Sequence, residues 1–347
     1  MAYTTIDKPT DYFNTVTWTG NGSSSRNITG VGFQPDWVWG KCRNATVSHA
    51  LYDSVRGGSK LLNSNATSAE GTNAALSAFV SDGFSVNSDS YFNLNNNTYV
   101  AWNWLAGGSA SSNSDGSITS SVSANTTAGF SIVSYTGNGT SGATVGHGLG
   151  SAPACYVVKS RDTAYDWRMY HQGIGATKYL NLNQTIASTT ASNAWNNTAP
   201  TSSVFSLGSG STVNQNSDNF IAYCFAEKKG FSKFGSYSSI NSHDSNFVYL
   251  GFKPAMIIFK NTSYSGGSDW NILDRTRYTF NSSSEAVLEP NTNDAENYSA
   301  FGEVDFLSNG FKIRNNNGVS SGGYDHIYMA FAEAPFVSSK GIPTTAR

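Results

Sequence analysis

The sequence predicts an all-β chain of three tandem, related β-sandwich modules with a jelly-roll or lectin-like character. Composition is the first observation behind this. Of 347 residues only 13% are charged, with 21 Lys+Arg against 23 Asp+Glu, while 36 are Asn, 52 Ser and 34 Gly. Gly, Asn, Ser and Thr are poor or middling helix formers, whereas the Thr, Tyr, Phe, Trp and Val here suit pleated, half-buried strands. Gly, Asn and Ser also supply turns. Hydrophobic residues at 38% and aromatics at 13% are enough for a large core, which argues against disorder.

An internal repeat is the second observation, and it orders the elements. The first copy opens Phe13-Asn-Thr-Val-Thr-Trp18-Thr-Gly20-Asn21-Gly22 and the second Phe130-Ser-Ile-Val-Ser-Tyr135-Thr-Gly137-Asn138-Gly139. A looser third opens Phe231-Ser-Lys-Phe-Gly-Ser-Tyr237. Each reads as a strand, and the Asn-Gly pairs predict hairpins. A proline then leads into a second strand, at Pro35, Pro153 and Pro254, with a lysine six positions later at Lys41, Lys159 and Lys260. Both faces of that strand are apolar, Trp37 and Trp39 on one and Val38 on the other in the first copy, so it is predicted to be buried on both sides. A short apolar strand follows, ending in an acid or imidazole: Leu51-Tyr52-Asp53, Met169-Tyr170-His171, Ile272-Leu273-Asp274.

Two landmarks complete each copy. The turn Asp82-Gly83-Phe84 is matched by Asn309-Gly310-Phe311, and only loosely by Leu207-Gly208. Closing strands run Val100-Ala-Trp102-Asn-Trp104, Ile221-Ala-Tyr223-Cys-Phe225 and Ile327-Tyr-Met329-Ala-Phe331. The constant order with drifting loop lengths is the third observation. It divides the chain into repeats at 1–106, 129–227 and 228–336, a Gly/Ser linker at 107–128 predicted to be flexible, and a polar tail at 337–347.

Several function classes are excluded or disfavoured. A formal charge of −2 without Lys/Arg clusters lacks the basic footprint of nucleic-acid binding. Apolar runs such as Met256 to Phe259 fall far short of a membrane-spanning helix, so no membrane insertion is expected. The first residues, Met1-Ala-Tyr-Thr-Thr-Ile-Asp-Lys, show no basic region followed by an apolar core, and no ordinary signal peptide is expected. Cys42, Cys155 and Cys224 are odd in number and widely spaced, which predicts isolated buried thiols. No metal spacing or Asp-rich calcium loop occurs, and Gly146-His147-Gly148 reads as a glycine-rich turn. No cofactor is expected, although calcium held by loop carbonyls leaves no signature in sequence.

The positions with a chemical character are the repeated ones. Lys41, Lys159 and Lys260 adjoin the strand carrying Asp53, His171 and Asp274, so a Lys–Asp pair is a candidate in the first and third copies. Trp18, Tyr135 and Tyr237, together with Tyr12, Trp102 and Tyr223, are candidates by type for stacking on a sugar ring. Core packing is the competing reading for each of them. Glu227 and Glu333 recur after the closing strand, but Ala106 and Gly107 stand there in the first copy, so no catalytic residue is assigned.

The motifs Gln34-Pro35-Asp36-Trp37-Val38-Trp39-Gly40-Lys41, Leu51-Tyr52-Asp53-Ser54-Val55-Arg56-Gly57 and Tyr328-Met329-Ala330-Phe331-Ala332-Glu333-Ala334-Pro335-Phe336 resemble a family of tailed-bacteriophage proteins. So do Tyr99 to Trp104, Tyr223 to Glu227 and Asp305 to Lys312. The family is common in marine phages and is identified as tail-fibre-like or virion structural. The resemblance covers essentially the whole chain and brings no catalytic or binding residues with it. It implies a non-enzymatic virion component, a tail fibre, tail or capsid-surface part that contributes to host adsorption. Such a protein is made in the bacterial cytoplasm, which fits unpaired cysteines, and then resides in the virion. Expected partners are other virion proteins, further copies of the chain (a homotrimer first) and a host surface glycan. The alternatives are a carbohydrate-binding receptor-recognition protein and a glycan-cleaving tailspike, which needs two carboxylates roughly 5–10 Å apart.

Overall fold

The computed structural model describes residues 3–277, 281, 286–297, 303–314 and 318–344. It is almost entirely β, with short helical turns only. The same four-strand order occurs three times: opening strand, closing strand, proline strand, acid-tipped strand. In the first repeat these are Phe13–Thr19, Thr98–Trp104, Trp37–Cys42 and Ala50–Asp53. In the second they are Phe130–Thr136, Asn219–Phe225, Cys155–Ser160 and Arg168–His171. In the third they are Ser232–Ser238, Asp325–Pro335, Phe252–Asn261 and Asn271–Asp274. All pairings within these four-strand sets are antiparallel, and the register repeats: Trp39 faces Trp102, Val157 faces Tyr223, and Ile258 faces Met329.

These sheets are not separate beads. One face of each contributes to a single shared core containing Trp37, Trp39, Trp102 and Trp104, then Val157, Tyr223 and Phe225, then Met256, Ile258, Met329 and Phe331. Rings meet across the repeats: Trp37 stacks on Tyr223 at 4.3 Å, Trp104 lies edge-on to Phe331 at 5.5 Å, and Phe225 packs on Phe331 at 5.8 Å. The closing and proline strands are therefore apolar on both faces. Their second face packs against an outer layer, as sandwich sheets do.

The outer layers differ. The first is a three-stranded sheet of Arg26–Thr29, Gly83–Val86 and Leu76–Val80, and the third is the analogous Phe247–Tyr249, Gly310–Ile313 and Val304–Leu307. The Asp82-Gly83 and Asn309-Gly310 turns open the middle strands. Glycine is required there, because a Cβ would lie 2.0 Å from the Ile28 carbonyl oxygen or 2.1 Å from that of Val248. In the second repeat the weak match at Leu207-Gly208 marks a real departure. Only Thr144–Gly146 and Val204–Ser206 pair, and two one-turn helices, Ser192–Trp195 and Ser211–Asn214, complete the layer.

Three expectations are corrected. Gly20-Asn21-Gly22 and Gly137-Asn138-Gly139 do not close hairpins; they carry the chain from inner to outer layer. Their amides dock on a buried asparagine, with Asn21 N to Asn93 Oδ1 at 3.1 Å and Asn138 N to Asn214 Oδ1 at 2.9 Å. Residues 107–128 are not a flexible linker. Ser111–Asn113 and Ser120–Asn125 extend the second inner sheet beyond Phe130–Thr136, so the sheet reaches eight strands. Alternating burial of Ser120, Val122 and Ile118 shows what composition hid, namely a strand with a serine-rich outer face. The tail also folds back. Phe336 N bonds Gly251 O at 3.2 Å, and Ser339 N bonds the Asp7 carboxylate at 2.6 Å.

That last contact moves a boundary. Residues before Phe13, assigned to the first repeat, pack on the third: Tyr3 Oη donates to Gly251 O at 2.8 Å and Thr4 Oγ1 to Lys229 O at 2.8 Å. Residues 1–2 and 345–347 of the predicted repeat and tail lie outside the described residues.

Candidate functional site

Each repeat places the same positions at its contact with the next, so the polar residues flagged by the sequence fall into three cyclically related junctions. The acid-tipped strand of one repeat meets the closing strand of another: first on second, second on third, third on first.

At the first–second junction, Asp53 is wholly buried. Its Oδ2 accepts from Arg56 Nε at 2.5 Å and from Tyr223 Oη at 2.7 Å, while Oδ1 caps the Arg56 amide at 2.8 Å. Arg56 continues to Glu70 at 3.2 Å, and Arg161 of the second repeat clamps that carboxylate with two bonds of 2.8 and 3.0 Å. Burial works to raise the Glu70 carboxyl; the Arg161 hydrogen bond and the Arg56 charge outweigh it and hold it low.

The third–first junction repeats this chain residue for residue. Asp274 Oδ2 accepts from Arg277 Nε at 2.6 Å and from Trp102 Nε1 at 3.0 Å. Arg277 reaches Glu296 at 2.9 Å, and Arg43 clamps Glu296 at 2.8 and 2.9 Å. Trp102 and Tyr223 are equivalent closing-strand residues, so indole and phenol serve as the same donor.

The second–third junction is neutral at every one of these positions. His171 replaces the aspartate, Ile174 the first arginine, Ser188 the glutamate, Thr262 the second arginine, and Met329 the donor ring. His171 Nδ1 accepts the Gly173 amide at 3.0 Å, so Nε2 carries the proton and donates to Tyr328 O at 3.2 Å. Burial pulls its pKa down to about 4. An aspartate here would be a buried charge without its arginine, and breaking such a pair costs about 3–5 kcal/mol, whereas exchanging the whole set for neutral groups is close to neutral. The five differences are one coordinated exchange.

A backbone layer is common to all three junctions. Glu70 N bonds Arg161 O at 2.8 Å, Ser188 N bonds Thr262 O at 3.0 Å, and Glu296 N bonds Arg43 O at 2.6 Å. Trp167 Nε1 donates to Asn63 O at 2.9 Å and Trp270 Nε1 to Asn181 O at 3.0 Å; His49, at the tryptophan position of the first repeat, meets Glu289 O at 3.0 Å. An asparagine carbonyl caps the amide of each of these ring residues, Asn65 for His49, Asn183 for Trp167 and Asn291 for Trp270.

The expected Lys–Asp pairs are absent from this arrangement. Lys41, Lys159 and Lys260 instead cap backbone carbonyls at the strand end. Lys41 Nζ donates to Cys42 O at 2.7 Å and Asn293 O at 3.3 Å, Lys159 to Ser160 O at 2.9 Å and Thr163 O at 3.3 Å, and Lys260 to Thr185 O at 2.7 Å. Lys41 and Lys260 thereby reach across to a neighbouring repeat. Burial brings all three down to about 8. Asp53 and Asp274 select the arginine three residues on because it completes the first turn after the strand, while the lysine points past the sheet's end.

The sugar-stacking candidates are corrected as well. Tyr135 and Tyr237 are buried, donating to Val213 O and Val319 O at 2.7 Å each. Trp18 is half-buried, stacked on Tyr99 at 5.4 Å, and bonds Phe92 O at 2.8 Å. These rings pin the inner sheet to its outer layer. Trp102 and Tyr223 lie in the shared core, and Tyr12 packs edge-on against Phe231 at 6.0 Å. The three cysteines are free and buried. Glu333 pairs with Arg275 and Lys253.

Sequence reading missed Arg56, Arg277, Glu70, Glu296 and the capping asparagines. The signals were present: Asp53 and Arg56 share the spacing of Asp274 and Arg277, and Asn63-Ser-Asn65, Asn181-Leu-Asn183 and Glu289-Pro-Asn291 recur at one place. Among the described residues, no group of three or more His, Cys, Asp or Glu is placed to hold a metal ion, and no helix is long and apolar enough to cross a membrane. Glu289 is half-buried, and burial with the charges of Asp269 and Asp294 pushes its carboxyl up to about 7.

Fold and junctions together define an all-β protein whose three sheets are knit around one core by recurring polar joints. The chain belongs to the family described as Domain of unknown function (DUF7483), whose model matches residues 8–335 and so takes in all three sheets as one unit. A comparison with curated proteins finds no match.

Proposed function

We propose that the protein is a non-enzymatic structural component of a tailed-bacteriophage particle, a tail-fibre, tail or capsid-surface part that contributes to host adsorption. The observation that supports this reading is the use of the repeated polar residues. Asp53, His171, Asp274 and the three lysines, the positions at which a repeated active site would form, are buried in structural hydrogen bonds, all but those of Lys159 reaching a neighbouring repeat. A protein organised for cohesion suits a particle that must persist after leaving its cell. Buried joints are screened by salt far less than exposed pairs, and a surface wetted by amides and hydroxyls does not rely on charge. Synthesis in the host cytoplasm fits three free thiols.

Because each inner face is already covered within one chain, assembly with other virion proteins, or into a homotrimer, would use the outer layers. Mass spectrometry of gradient-purified particles, with immunogold labelling, tests the role. The expected result is a stoichiometric band and surface label, and absence from purified particles would overturn it. A second reading, recognition of a host surface glycan, is favoured by one feature, a hydroxyl-lined groove at the second–third junction.

A further inference from the structure

We propose that the groove between the second and third repeats is a binding site for a neutral oligosaccharide. This rests on the glycan-recognition reading and gives it a place. The groove encloses about 870 Å³, part of it open to solvent, and is lined by Lys178, Ser188, Ser236, Ser238, Thr262 and Asp325, with Ile174 and Tyr237 among its apolar walls.

The other two junctions act as internal controls for why it is open. Where this groove has Ile174, Ser188 and Thr262, the first–second junction carries Arg56, Glu70 and Arg161 and the third–first junction Arg277, Glu296 and Arg43, all joined in ion pairs. Two guanidinium groups and a carboxylate are thus exchanged for a butyl side chain and two hydroxyls at the one junction that has no ionic network. The junction does not fail for lack of charge, because the backbone bond from Ser188 to Thr262 and the Trp270 bond to Asn181 hold it as elsewhere.

The lining selects the ligand class. One lysine is balanced by one carboxylate, so the groove has no excess charge to hold a phosphate or an acidic peptide. Its polar atoms are mostly hydroxyls. Ser188 Oγ donates to Thr262 O at 2.9 Å, Thr262 Oγ1 to Asp325 O at 3.0 Å, and Ser238 Oγ to the Asp325 carboxylate at 2.5 Å. Each hydroxyl oxygen keeps acceptor capacity while its proton is engaged, and Lys178 supplies up to three donors. Ile174 offers an apolar strip for the C–H face of a sugar ring. A ligand rich in hydroxyls, uncharged and with one apolar face fits that set.

The test uses the full chain against an array of neutral hexose and N-acetylhexosamine oligosaccharides, with affinities from titration calorimetry. Saturable binding is expected from the native protein. The fourfold substitution His171→Asp, Ile174→Arg, Ser188→Glu and Thr262→Arg rebuilds the charged chain of the other junctions and fills the groove; it should weaken binding at least tenfold. Should that variant not fold, Ser236→Trp, at an exposed position of the wall, must produce the same loss with an unchanged melting temperature. No binding by the native protein to any oligosaccharide overturns both the site and the glycan reading. Binding that survives in the folded variants overturns the groove alone and leaves glycan recognition standing elsewhere on the surface.

Discussion

The first–second and second–third contacts use the same backbone positions and fill them with different chemistry. In one, Asp53, Arg56, Glu70 and Arg161 form a continuous buried chain of charge ending on Tyr223. In the other, His171 stays neutral between Gly173 and Tyr328, and Ile174 packs against the shared apolar core. Since both junctions keep the same inter-repeat backbone bonds, geometry is set by the sheets, and the side chains choose between two self-consistent ways of filling it. Charge is tolerated only as a complete set. Partial sets are the states to make in order to break the comparison.

The largest effect should come from removing one member of the ionic chain. Arg56→Met leaves the Asp53 carboxylate buried without its cation, and a loss of about 3–5 kcal/mol is expected in chemical denaturation. Ile174→Met, at the equivalent neutral position, is a near volume-conserving change and should cost less than about 1.5 kcal/mol. Equal losses at the two positions would show that Arg56 matters through packing and not through charge.

His171→Asp makes the converse partial set and should cost about 3 kcal/mol, the penalty of a buried carboxylate that has the Gly173 amide but no cation. Adding Ile174→Arg returns the partner found three residues on in the other repeats. A double-mutant cycle should then show a favourable coupling above about 1 kcal/mol. Additive losses would mean that the neighbouring Ser188 and Thr262 must change too before the pair is stabilising.

The backbone layer should respond alike at both kinds of junction. Trp167→Phe and Trp270→Phe each remove one indole bond to a neighbouring carbonyl, at 2.9 and 3.0 Å. Each is expected to cost about 1–2 kcal/mol, with the two values within about 0.5 kcal/mol of each other. A much larger value at the second–third junction would show that it leans on this bond for want of an ionic network.

Much of this was legible in the chain and some was not, for physical reasons. The apolar alternation of Trp37 to Lys41 and its counterparts predicts strands buried on both faces, because side-chain direction in a strand follows from position alone. What alternation does not contain is the identity of the covering layer. The sequence cannot say whether Trp104 meets its own outer sheet or Phe331, more than two hundred residues away, and so it shows the core inside each repeat and not the fourth core that the three repeats share. Residues 107–128 failed for a related reason: a serine strand that covers another strand has the composition of a linker, and its burial comes from the neighbour. The repeat marks the aspartates as chemically notable. Chain order, which places the two strands side by side, points to the lysines as their partners, while the turn after the aspartate delivers arginine to its carboxylate.

Dependence on pH sets the two kinds of junction against each other. At the second–third junction, His171 has a folded pKa of about 4 against an ordinary 6.5, so between these values the unfolded chain binds the extra proton. Stability from this residue is therefore present above pH 6.5 and lost as the pH falls through 4. At the third–first junction the carboxyl of Glu289, whose backbone oxygen receives His49, is raised to about 7 from 4.5. Here the folded chain holds the proton in the window, so the contribution is present below pH 4.5 and lost as the pH rises through 7. Melting temperatures from pH 4 to 8 should separate the two. His171→Gln should flatten the acid side of the profile, and Glu289→Gln should gain on the native protein only toward pH 8. The same displacement of both profiles at every pH would mean that each substitution acts through packing, leaving the neutral junction no more acid-sensitive than the charged ones.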